Sequence, residues 1–212
     1  MEVGCLLALH PLSTADEIDV VTARFPCFGL DMRHRLYHFS EDPNIDRFVP
    51  RPVQTEVVRP KRMNWLNGPL VWAIDAAYAP LYLFPRDCPR IVMSKLVTSS
   101  ETDISRYWID PTKPFVAFVE DRWVDRIKAT TLYRYTFESD GFVCLEDVGM
   151  HVIDKKVQPV EMTALPDLLG ELQAAEVELQ IRHDLSGLAD AWDSSLQVSG
   201  IRLRNAQNWK RE

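Results

Sequence analysis

His38 stands two positions before Ser40 in the run Leu36-Tyr37-His38-Phe39-Ser40. In an extended chain residues i and i+2 share a face. An imidazole and a hydroxyl presented together suit a ribose or an amide, although a strand histidine is also commonly a satisfied core or surface residue. Arg51, Arg86 and Arg90 supply flat, forked donors that match phosphate or carboxylate oxygens. Tyr78 and Tyr82 lie between them, among small residues. Asp87 beside Arg86 offers the plainer alternative of structural ion pairs. Arg202 and Arg204 alternate with Ile201 and Leu203, so on a strand they share a face and either complete an anion site or meet water. Cys88 has positive neighbours, which lower a thiol pKa, but no histidine is spaced to form a catalytic dyad with it. The chain has no HExxH, no paired-cysteine motif and no glycine-rich phosphate loop, and its eight glycines leave little room for one.

These groups need elements to hold them. Val71 to Ile74 is an apolar run that reads as a buried strand, and Asp75 is a residue type that accepts a backbone N–H at the start of the next element. The aromatic and small residues of 76–84 then lead to Arg86 and Arg90. Such a strand, feeding an aromatic and arginine-tipped segment, is a way to build a pocket for a planar anion. It is equally compatible with ordinary core aromatics. Strands are expected over 36–40, 90–97, 114–120, 131–137, 142–145, 150–153 and 177–181, from alternation or short apolar runs. Ser139-Asp140-Gly141 has hairpin-turn chemistry, and residues 53–69 read as a basic connection. Helices are expected over 121–128, 164–175 with Pro166 in its first turn, and 185–196; 98–113 is a loop or short helix, and 199–206 a strand or loop. Many short strands with few short helices point to a mixed α+β domain, mainly antiparallel, in two small sheets.

Residues 1–31 read as an N-terminal extension, with a capping pattern at Ser13 that begins a short helix through Val21 and Ala23. Residues 32–212 read as a single domain. At 212 residues, 46% apolar and 26% charged, the chain has enough apolar content for a sizeable core. A net charge of −7 argues against a general electrostatic grip on nucleic acid, while leaving room for a local basic pocket. The four cysteines lack pair spacing, so neither a zinc site nor a disulfide framework is indicated, and no metal site is expected. With no apolar run of membrane-spanning length and a poor secretory signal, a cytoplasmic location is expected.

The blocks Tyr37-His38-Phe39-Ser40-Glu41-Asp42-Pro43, Val71 to Arg90, Leu132-Tyr133-Arg134-Tyr135 and Ser199 to Ala206 together resemble an uncharacterised family of bacterial proteins, over about residues 35–206. The "YH" context of His38, the strand Val71–Asp75 leading to Tyr78 and Tyr82, and the late strand Met150-His151-Val152-Ile153 also resemble the ADP-ribosyltransferase-like fold. That resemblance implies NAD held in a cleft between two small sheets. It places His38 on the ribose and Tyr78 or Tyr82 on the nicotinamide. It also implies a catalytic glutamate at or just before the late strand, where Met150 and His151 stand and Glu146 is the nearest candidate. A carboxylate there would hold the ribose 2′-hydroxyl and stabilise developing positive charge. The first expectation is therefore a nucleotide-binding protein that transfers ADP-ribose or hydrolyses NAD. His38 and Glu146 would act on the substrate, and Ser40, Arg51, Tyr78, Tyr82, Arg86 and Arg90 would hold the cofactor. The alternative is a binding module for a small anion or nucleotide, without turnover, or an interaction module.

Overall fold

A computed structural model of the chain describes residues 5–6, 35–53, 58, 61–145 and 148–209. In chain order its elements are β1 (Cys5–Leu6), β2 (Arg35–Ser40), β3 (Val71–Asp75), β4 (Arg90–Ser94), α1 (Glu101–Tyr107), β5 (Phe115–Glu120), α2 (Val124–Ala129), β6 (Leu132–Glu138), β7 (Val143–Cys144), β8 (Met150–Ile153), β9 (Glu161–Leu165), α3 (Leu168–Ala174), β10 (Val177–Arg182) and β11 (Gln197–Ile201). They form two sheets, ordered β1-β11-β4-β5-β10 and β7-β8-β3-β2-β6-β9. Every pairing is antiparallel except the parallel β5–β10 pair. The architecture is α+β, as the pattern of short strands implies. No helix among the described residues is long and apolar enough to cross a membrane.

β5 explains the layering of the first sheet. All six of its residues are buried, so both of its faces must be covered. Phe115, Ala117 and Val119 face a core shared with Leu132 of β6, Leu165 of β9 and the apolar stripe Leu168 and Leu172 of α3. Val116 and Phe118 face the opposite way, onto Tyr107, Trp108, Leu185, Leu188 and Ala191. The second sheet has its own outer cluster, in which Leu36, Val71, Ala73, Tyr135 and Phe137 are covered by Phe48. The Phe48 segment is tied down by reciprocal backbone bonds with Val157, at 2.8 and 3.0 Å.

β2 and β3 make the feature that matters for the site. β2 pairs with β6 along its whole length, from Arg35↔Glu138 to Ser40↔Tyr133. With β3 it pairs only at Leu36↔Asp75 and Tyr37↔Ile74. Beyond Tyr37 the two central strands part, so the sheet is split from His38 to Ser40.

Several expectations need correction. Ser139–Phe142 does form a turn, with Phe142 N–H donating to the Ser139 carbonyl at 3.0 Å and Gly141 at φ 83°. The strands on either side of it do not pair, because both edges of β6 are taken by β2 and β9. The hairpin is instead β7–β8, with Leu145 N–H donating to the Met150 carbonyl at 3.0 Å. The first residues of the expected 164–175 helix belong to β9, which fills the outer edge of β6. Helix α3 starts after Asp167, whose carboxylate accepts the Gly170 N–H at 3.0 Å. Residues 61–67 and 186–193 are 3-10 turns rather than a plain connection and an α-helix. β11 ends at Ile201 and Arg202 turns left-handed (φ 57°, ψ 26°), so Arg202 is buried while Arg204 is exposed and the two do not share a strand face. Cys5–Leu6, within the expected extension, pairs with β11. The helix proposed from Ser13 lies outside the described residues.

Candidate functional site

The split between β2 and β3 opens into a cavity that lies between the two sheets. Its inner chamber, of about 60 Å³, is walled by Tyr37, Phe39, Trp72, Tyr82 and Phe84 among others, with His38, Ser40, Arg86, Arg90 and Arg202 supplying the polar groups. A second chamber, of about 150 Å³, shares His38, Ser40, Trp72 and Arg86 and adds Asp42, Arg47 and Arg51. That is about the volume of a cavity that accepts a benzene-sized ring.

His38 sits where the strands separate. Its side chain is 7% exposed, its ring lies 4.8 Å from that of Phe48, and its Nδ1 is 2.8 Å from the Trp72 carbonyl oxygen. Burial pushes its pKa down to about 4; the bond to the Trp72 carbonyl opposes this and the positive charge of Arg86 adds to it. The ring is therefore neutral near pH 7. A carbonyl only accepts, so the single ring proton is on Nδ1. Nε2 is left as a buried acceptor with no partner among the described residues. Next to it, the buried Ser40 Oγ accepts the Asp42 N–H at 3.1 Å.

The guanidinium groups differ in what already occupies them. Arg90, 2% exposed, donates from Nε to the Leu81 carbonyl at 2.9 Å and from Nη1 to the Cys88 carbonyl at 3.0 Å. It also lies over the rings of Tyr82 and Phe84, at 5.7 and 5.2 Å. Much of its donor capacity thus fastens the segment that carries the other site residues. Arg47, Arg51 and Arg86 are exposed at the second chamber and form no ion pair with any described carboxylate. Three arginines that outnumber the single described carboxylate of the chamber, Asp42, and do not pair with it favour an anion there.

Tyr82 stacks parallel to Phe39 with centroids 6.5 Å apart, and its hydroxyl donates to the Met150 sulfur at 3.6 Å. Tyr78 is elsewhere: its ring is edge-on to Phe115 at 6.4 Å, in the core between the sheets, and its N–H donates to Asp75 Oδ1 at 3.0 Å. Glu146 lies outside the described residues. Among the described lining residues the inner chamber has no carboxylate, and Asp42 is the one in the second chamber. Cys88 is fully buried. Burial pushes its thiol up to about 12, so it is held as a neutral thiol with Sγ–H directed to the Pro89 carbonyl at 3.6 Å.

The structure thus brings His38, Ser40, Tyr82, Arg86 and Arg90 to one chamber and Arg51 to the adjoining one, and it sets Tyr78 apart. Arg47 and the ring of Phe39 were not singled out by the sequence. Phe39 is the neighbour of both His38 and Ser40 in the same strand, and strand alternation puts it on the other face. Only the split lets both faces of β2 reach one cavity.

The architecture and the basic, aromatic cavity define a two-sheet α+β protein with a small ligand-sized cleft. The chain belongs to a family of unknown function, DUF6886, whose model matches residues 37–206. No curated protein and no solved structure matches it.

Proposed function

We propose that this protein binds a nucleotide of the NAD class in the cleft between its two sheets, in the manner of the ADP-ribosyltransferase-like fold. In this reading a ribose hydroxyl donates to His38 Nε2, a planar ring lies against Tyr82 and Phe39, and phosphate oxygens are held by Arg47, Arg51 and Arg86. The observation that carries the reading is the convergence, on one divided cavity, of a neutral, acceptor-only imidazole nitrogen and three arginines without ion-pair partners among the described residues. Donors on the ligand meet the imidazole, and its anionic groups meet the arginines. The inner chamber has less than half the ring-sized volume of the second, so only the edge of a ring enters it and the charged remainder stays in the wider chamber.

Binding without turnover is favoured over ADP-ribosyl transfer by the described lining of the inner chamber, which is aromatic, aliphatic and cationic. Stabilising a cationic ribosyl centre requires negative charge close by. A histidine whose pKa is lowered to about 4 is also a weak base at neutral pH. Calorimetric titration of the purified protein with NAD and with ADP-ribose, beside His38→Ala, tests the reading. Saturable binding that is weakened in the variant supports it. No heat at millimolar NAD or ADP-ribose removes it. Release of nicotinamide from labelled NAD, abolished by Glu146→Gln, would restore the catalytic alternative.

A further inference from the structure

Arg86 lines both chambers, yet it sits at the tip of a short surface turn, Pro85–Cys88, closed by Cys88 N–H donating to the Pro85 carbonyl at 3.0 Å. Water usually satisfies the outward backbone groups of such a turn. Here three of them are taken by side chains from distant parts of the chain. Glu41, just after β2, accepts the Arg86 N–H at 2.8 Å. Arg202, just after β11, donates from Nε to the Arg86 carbonyl at 3.2 Å. Asn205 donates from Nδ2 to the Asp87 carbonyl at 2.7 Å.

Each of these side chains is itself anchored. The other Glu41 oxygen pairs with Arg126 of α2 at 3.5 Å. The backbone around Asn205 is pinned by Arg122 Nη2, donating to the Asn205 carbonyl at 2.6 Å, and by the fully buried Glu120, which accepts the Gln207 N–H at 2.6 Å and pairs with Arg122 at 2.8 Å. Arg202 reaches the turn from a left-handed backbone, a conformation that is unfavourable for a non-glycine residue and persists only where the surroundings impose it. The tip of the turn is thus fixed from both sides, while the Arg86 guanidinium remains without an ion pair among the described residues.

We infer that Glu41 and Asn205, together with Arg202, are positioning residues that hold the Pro85–Cys88 turn so that the Arg86 guanidinium stands over the junction of the two chambers. The inference deepens the nucleotide-binding reading and rests on it for the identity of the ligand. The placement of Arg86 stands without it. Arg202 lines the cavity and would confound a binding measurement, so the test falls on Glu41 and Asn205.

The ligand-free readout is the titration of His38 followed by NMR. The described charged groups that share its cavity are Arg86, Arg90, Arg202, Arg47, Arg51 and Asp42. Arg86→Gln removes a positive charge that lowers the His38 pKa and should therefore raise it. Glu41→Ala and Asn205→Ala should move it in the same direction, because a loosened turn lets the guanidinium drift into water. Glu41→Gln keeps the carbonyl acceptor and should restore the original value. Titration with NAD should show about a five- to tenfold loss for the two alanine variants and little for Glu41→Gln, the effect of about one hydrogen bond. If Arg86→Gln shifts His38 and the alanine variants do not, or if Arg86→Gln itself leaves His38 unmoved, the inference is overturned. If the shifts follow the expected pattern but NAD does not bind the wild type, the positioning inference survives and the nucleotide reading fails.

Discussion

Acid should destabilise this protein through one residue, and the size of the effect follows from where that residue sits. The His38 imidazole has the ordinary pKa of 6.5 when exposed in the unfolded chain, and burial lowers it to about 4 in the folded one. Between those values the unfolded state binds the proton and the folded state does not, so stability rises with pH across the window and is lost as pH falls through it. At ~1.36 kcal/mol for each tenfold ratio, the full gap corresponds to a ceiling of about 3 kcal/mol. That is a large fraction of the ~5–15 kcal/mol that holds a typical domain together. Urea unfolding at intervals between pH 7 and pH 4 measures it directly, with His38→Asn as the control. The Asn amide can still donate to the Trp72 carbonyl and does not titrate. The variant loses some packing at every pH, so the comparison is between slopes. Asp103, Asp110 and Asp184, whose carboxyls are held below their ordinary range by bonds from Ser195, Thr112 and Ser186 respectively, lose their contributions at lower pH in both proteins and cancel. The wild type should lose up to about 3 kcal/mol more than the variant by pH 4. Parallel curves would mean that His38 protonates freely in the folded state, and the argument for a locked acceptor would collapse with them.

Other consequences follow from the same geometry. Replacing both Arg51 and Arg86 with Gln should weaken NAD binding at least tenfold and flatten its dependence on salt, because exposed cations supply the screened part of the attraction; an unchanged salt slope in calorimetry would take phosphate recognition away from the second chamber. Alkylation of the native protein, mapped by mass spectrometry, should label the exposed Cys144 and spare Cys88 until the protein unfolds. Rapid native labelling of Cys88 would contradict its burial. Gly149 has φ +68°, and an added Cβ would come within 2.5 Å of the Asp75 carboxylate. Asp75 also caps the turn into Tyr78, so Gly149→Ala should cost about 1–3 kcal/mol in a thermal melt, and an unmoved melting temperature would show that this contact is soft.

Much of the fold was legible because local and global preferences agree in it. Leu36–Ser40, Val71–Asp75, Phe115–Glu120 and Leu132–Glu138 have strand composition and are strands. What could not be read was partnership. Ser139-Asp140-Gly141 is a good turn, but nothing in those residues says that β6 is already paired on both edges. Residues 161–165 include Ala164 and Leu165, which extend a helical pattern, and the demand of an open sheet edge overrides it. The candidate site divides along the same line. His38, Ser40 and Arg86 were visible as residue types suited to a polar ligand, whereas the left-handed turn at Arg202 has no glycine to announce it. The gripping of the Arg86 turn by Glu41 and Asn205 spans sequence separations of 45 and 118 residues and depends wholly on tertiary placement.

The split in the second sheet and the chemistry of its cavity have a common cause. Neighbouring strands pair by default, since a buried carbonyl without a donor costs roughly 1–3 kcal/mol. Continuing the register of Leu36↔Asp75 and Tyr37↔Ile74 would set Phe39 opposite Trp72. Instead the Trp72 carbonyl, facing β2, takes its hydrogen bond from the His38 ring. An aliphatic side chain at this position would leave that carbonyl bare and favour closing the ladder. A primary amide could satisfy the carbonyl but is shorter and reaches less far into the opening. A lysine or arginine would bring a charge that the Arg86 guanidinium opposes. A neutral imidazole does both jobs, donating to Trp72 from one nitrogen while its other nitrogen carries a lone pair into the cavity. The residue that keeps the strands apart therefore also fixes what may enter between them. A ligand for this cleft must bring a hydroxyl or N–H donor to Nε2 while its acidic groups lie toward Arg47, Arg51 and Arg86, and a purely anionic ligand would satisfy the arginines and leave the imidazole unmet.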